Sequence, residues 1–159
     1  KQARKPKSGF FAVLRYFVFI GTIVNLVFIG TIGIHEFGHF TTAGFYDCAY
    51  NSIVYDETGA HTEILCKNVS ENVVLWGGIL LPFVIALVLF LIGGRFIREI
   101  GLLIVGFNLL AAYMDFLDLG FSQNIVIALS LLGLLFLIIG IVLLSKARTE
   151  ESVSGMLNF

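Results

Sequence analysis

The stretch FFAVLRYFVFIGTIVNLVFIGTIGIHEFGHFTT, residues 10–42, decides how this chain is read. Its first part, residues 10–34, is an apolar run in which Arg15 is the only charge. At about 1.5 Å of rise per residue, a helix of this length spans a hydrocarbon core of about 30 Å. Arg15 lies close enough to the start of the run for its charged head to snorkel to the surface. The helix then continues, to about Thr42, through His35-Glu36-Phe37-Gly38-His39. Four residues separate the two histidines, so both imidazoles project from one face, one turn apart, where two nitrogens can bind one metal ion. Glu36 lies beside that ion, placed to act as general base for a water molecule, and Gly38 leaves room for a neighbouring helix. Three ionisable groups in one turn at membrane depth are costly unless they work together.

Three further apolar runs, residues 73–92, 96–113 and 125–144, are each about long enough to cross a bilayer. With 58% apolar and only 13% charged residues, a water-soluble domain of this length could not hide its apolar surface. The expected fold is therefore an all-α membrane protein of four transmembrane helices, with a small β-hairpin loop between helices one and two. The basic residues Lys1, Arg4, Lys5, Lys7, Arg95, Arg98, Lys146 and Arg148 fall on one side. Asp47, Asp56, Glu57, Glu63 and Glu71 face a lone Lys67 on the other. This positive-inside pattern predicts a multi-pass integral membrane protein with both termini cytoplasmic and the histidine motif at the non-cytoplasmic side. The first run is too long for a cleavable signal peptide. The net charge of −1 gives no reason to expect a nucleic-acid partner.

By this reading residues 1–9 form a basic tail, 10–120 a three-helix core that includes a hairpin loop at 45–71, 121–145 the fourth transmembrane helix, and 146–159 a polar tail. Gly44 is the expected stop of the first helix. Within the loop, residues 52–55 and 61–66 flank the turn-rich Asp56-Glu57-Thr58-Gly59 and read as the hairpin strands. Cys48 and Cys66 bracket it, as a disulfide in a lumenal or extracellular setting or as free thiols in the cytosol. His61 reads as a solvated loop residue. Asn68-Val69-Ser70 is a glycosylation sequon, relevant only in a eukaryotic lumen. The second helix opens with Trp76-Gly77-Gly78, an interfacial aromatic followed by small residues that permit close packing, and Pro82 can kink it.

Catalytic zinc takes three protein ligands. Asp115 and Asp118, near the end of the third helix, are the candidates for the third. The motif lies at the exit end of helix one and helix two returns the chain, so the exit end of helix three falls on the motif's side. Glu99 lies at the opposite end of that helix, and depth argues against it. Asn108 precedes Asp115 by seven residues and so shares nearly the same face, there to hydrogen-bond a bound substrate backbone or to pack between helices.

His35-Glu36-Phe37-Gly38-His39-Phe40, the hairpin loop, Gly77-Gly78, Phe107-Asn108-Leu109-Leu110 and Leu117-Asp118-Leu119-Gly120 together resemble the site-2 protease family of intramembrane zinc metalloproteases. In that family the glutamate-histidine motif supplies two ligands and the base, and an Asn-Leu-Leu-Pro segment runs on to a Leu-Asp-Gly-Gly element whose aspartate is the third ligand. The resemblance covers roughly residues 25–120 and implies zinc on His35, His39 and an aspartate, with Glu36 as catalytic base. Two departures stand out: Ala111 occupies the place of the family's proline, and neither aspartate keeps the family's spacing from Asn108. Motif context favours Asp118; helical facing relative to Asn108 favours Asp115, and one can serve as ligand while the other orients a histidine. Family members also place zinc nearer the cytosol, against the charge bias here. The expected function is an intramembrane zinc endopeptidase acting on transmembrane protein substrates in the lipid bilayer. The alternative is a proteolytically inactive metal-binding relative, a subunit or substrate-binding module of a larger membrane complex or homo-oligomer.

Overall fold

A computed structural model describes residues 9–48, 50–56, 59–66 and 71–157. The chain is mostly helical. α1 (Gly9–Phe45) leads into a two-stranded antiparallel sheet of β1 (Tyr50–Asp56) and β2 (Gly59–Leu65). α2 (Glu71–Ile92), α3 (Arg95–Ala111), the short α4 (Tyr113–Asp118) and α5 (Gln123–Leu157) follow.

Three helices are long and apolar enough to cross a membrane: α1 over Val13–Phe45, α2 over its whole length Glu71–Ile92, and α5 over Gln123–Lys146. Large apolar side chains such as Phe17, Ile29, Leu91 and Leu131 stand outward on them, each more than 60% exposed. An apolar exterior of that kind is what a bilayer accepts and water does not. The run at residues 96–113, expected as a further crossing, behaves differently. Its helix α3 has 17 residues and opens with Arg95, Arg98 and Glu99. At Ala112 the backbone leaves helical geometry (ψ 11°) and α4 starts in a new phase. At about 26 Å, α3 is shorter than its three neighbours.

α1 also overruns its expected stop. It continues past Gly44 to Phe45, and the residue that takes up the left-handed conformation is Asp47 (φ 50°). Tyr46, Asp47 and Cys48 donate their backbone N–H groups back to Ala43 and Gly44, which satisfies the last helical carbonyls. The hairpin follows as its turn residues predict: the register runs from Tyr50 opposite Leu65 to Asp56 opposite Gly59. Cys48 and Cys66 form a disulfide that closes its base. The sequon at Asn68 and most of the basic tail at 1–9 lie outside the described residues. The polar segment from 146, read as a tail, continues α5 as helix to Leu157, in keeping with its good helix formers.

α1 packs on α2 and α3, α5 on α3, and α4 bridges α2 and α5. Gly38 of α1 and Gly77 of α2 meet backbone to backbone, since a Cβ on Gly38 would collide with the Gly77 carbonyl. Such contacts let membrane helices approach closely. Two apolar clusters fill the interior. Ile20, Leu103, Leu137 and Leu144 form one. Ile79, Leu109, Ala112, Phe116 and Val126 form the other, at the end of the bundle that carries the histidines.

Candidate metal centre

His35 and His39 are both buried on α1, with their rings 4.8 Å apart edge to face. Their Nε2 atoms approach to 3.1 Å. Asp115, from the first turn of α4, places Oδ2 2.8 Å from Nε2 of His35 and 3.3 Å from Nε2 of His39. Among the described residues these three are the group of side chains whose ligand atoms converge so that they could hold a metal ion.

The protons on both rings follow from the partners of their other nitrogens. The Val74 carbonyl, 2.9 Å from Nδ1 of His39, can only accept, so that Nδ1 carries hydrogen and donates. Asn108 donates from Nδ2 to the carbonyl of Ile79 at 2.9 Å. Its Oδ1 therefore faces His35, whose Nδ1–H donates to it at 3.0 Å. In its neutral form each imidazole then keeps its lone pair on Nε2, and both Nε2 atoms converge with a carboxylate oxygen. Three electron-pair donors at these distances repel one another unless positive charge lies among them, and one divalent cation answers all three. Holding the outer nitrogen of each ligating histidine with a carbonyl is the usual way proteins fix tautomer and ring orientation at a metal. The residues present fit such an ion.

Packing supports the same geometry. A Cβ at Gly78 would fall on the imidazole of His39, so this glycine is what lets α2 lie against the ring. Glu36 is buried too, and Thr62 of β2 donates from Oγ1 to its Oε2 at 2.7 Å. Glu36, His39, His61, Thr62, Asp115 and Asp118 share a cleft of about 590 Å³ between the hairpin, the end of α1, the start of α2 and α4.

The expected site residues divide as follows. His35, His39 and Asp115 come together, and Glu36 lies on the same cleft. Asp118, favoured by motif context, is exposed on the cleft wall and is not among the converging ligand atoms. Asp115, in the first turn of α4, is the aspartate whose carboxylate reaches the two histidines of α1. Asn108, taken as a substrate contact or a packing residue, has no exposed surface, and both ends of its amide are engaged within the protein. Its place is to orient His35. Glu99 lies at the far end of α3, against Arg95. No local spacing points to the Val74 carbonyl or to Thr62, since both reach the site only through docking of elements distant in the chain. No family model matches the chain, and no curated protein or solved structure matches it either.

Proposed function

We propose that this protein is an intramembrane zinc endopeptidase that hydrolyses peptide bonds of transmembrane proteins at or near the membrane surface, as the resemblance to the site-2 protease family suggests. One observation carries the reading: two histidine Nε2 lone pairs and a carboxylate oxygen of Asp115 converge within 3.3 Å, beside the buried Glu36, on a cleft. Two imidazoles and a carboxylate are a donor set that zinc takes in hydrolases, with the remaining position left for water or substrate. Zinc bound there supplies a Lewis acid that makes water a nucleophile near neutral pH.

The chain's own residues do the rest. Val74 and Asn108 hold the two imidazoles in the ligating tautomer, and Glu36 takes the proton from the attacking water. In this proposal the bundle crosses the bilayer four times, α3 with α4 being the third crossing, and both termini are cytoplasmic. A substrate helix has to unwind before its backbone can be cut, because its internal hydrogen bonds shield the scissile carbonyl. The hairpin offers a strand edge beside the cleft on which an unwound segment can pair.

Metal analysis and a cleavage assay on the purified protein test this reading. About one zinc per chain, lost in His35→Ala, with cleavage of a membrane substrate that Glu36→Gln abolishes, is the expected result. Zinc without cleavage in the wild type points instead to a metal-binding relative that does not cut. Absence of metal sinks both.

A further inference from the structure

We propose that Thr62 is a positioning residue for Glu36, its hydroxyl holding the carboxylate so that one oxygen remains as the proton acceptor; this rests on the peptidase reading above. A glutamate side chain turns about three bonds, so its place on α1 does not by itself fix where its carboxylate points. Glu36 is 8% exposed, and the group that reaches it comes from the hairpin rather than from a helix. Thr62 Oγ1 lies 2.7 Å from Oε2 of Glu36 and 3.2 Å from the same residue's backbone carbonyl. A hydroxyl has one hydrogen to give, and the shorter contact is in the range of a charge-assisted O–H···O⁻ bond. Oε2 is thereby committed, and Oε1 is the oxygen left to receive a proton.

The donor is itself firmly placed. Thr62 pairs with Ile53 across the sheet, and the Cys48–Cys66 disulfide closes the base of the hairpin where α1 ends. Thr62, Ile64 and Cys66 also line the cleft. The strand beside which a peptide would lie is therefore the strand that aligns the base. Catalytic groups must be held within a fraction of an ångström to work, and a bond from a rigid neighbouring element achieves that.

Thr62→Val keeps the shape and β-branching of threonine and removes only the donor, whereas Thr62→Ser keeps the donor. The test uses the full chain in nanodiscs, loaded with zinc, with the disulfide and the zinc content measured on every variant. Two readouts are taken: the carboxylate stretch of Glu36 in the infrared, identified as the band lost in Glu36→Gln, and the steady-state kinetics of cleavage. Thr62→Val is expected to move the band and to lower kcat on the order of 10- to 100-fold, a part of what a general base contributes. KM should stay within about twofold, and zinc content and disulfide should not change. Thr62→Ser should restore both band and rate. A band unmoved in Thr62→Val, or a loss of rate that serine does not recover, overturns the proposal. If the wild type cuts no substrate, the peptidase reading fails, while the infrared band still decides whether Thr62 holds Glu36.

Discussion

Glu99 near the start of α3 and Asp115 in α4 place a carboxylate at each end of the same helical run, and the two are answered in opposite ways. Glu99 is 3% exposed, and Arg95, one turn earlier on the same helix, brings its Nε to 3.4 Å from Oε1. The countercharge is permanent and local, and the half-exposed arginine carries it out toward the surface. Asp115 instead meets two imidazoles delivered by α1, both turned so that Nε2 faces it while Nδ1 is held by a carbonyl oxygen. The first arrangement carries its own countercharge. The second has no permanent countercharge of its own and is a group that could hold a metal ion.

The contrast breaks most sharply at Asp115. Asp115→Asn should weaken zinc binding by on the order of 100-fold or more, whereas Asp118→Asn should leave it within a few fold; a metal-buffer titration of the two variants separates them. Equal losses would return Asp118 to the ligand set. Asn108→Ala removes the acceptor that fixes the tautomer of His35, and a 10- to 100-fold drop in zinc affinity is expected in the same titration. Unchanged affinity would mean that packing alone orients that ring. Gly78→Ala pushes a methyl group into the space of the His39 imidazole. The result should be about a tenfold weaker site, with a loss of stability of about 1–3 kcal/mol in chemical unfolding. At the other end, Glu99→Gln should leave zinc content and affinity unchanged and shift stability by on the order of 1 kcal/mol. A change in metal binding there would show that the two ends are coupled.

Much of this was legible in the sequence because it is written in local spacing. The four-residue interval of His35 and His39, the apolar length of α1, α2 and α5, and the turn residues at the hairpin all act over one or two turns of chain. Helix parity also put the end of the third apolar run on the motif's side without any three-dimensional information. Parity could not choose between two aspartates three residues apart. Helical facing from Asn108 pointed to Asp115 and motif context to Asp118, and the docking of α4 near the histidines brings Asp115 to both rings.

Composition and local spacing alone specify a chain of apolar helices around a pair of metal-spaced histidines, with a hairpin beside them. Composition and periodicity act through burial and hydrogen bonding within each element, and need no knowledge of the partner. The docking of distant elements supplied the rest: which carboxylate joins the histidines, which carbonyls hold their Nδ1 atoms, and the bond from a strand threonine to Glu36. Those contacts join residues far apart in the chain, and their geometry is set by how whole helices pack, glycine against glycine, rather than by any spacing along them.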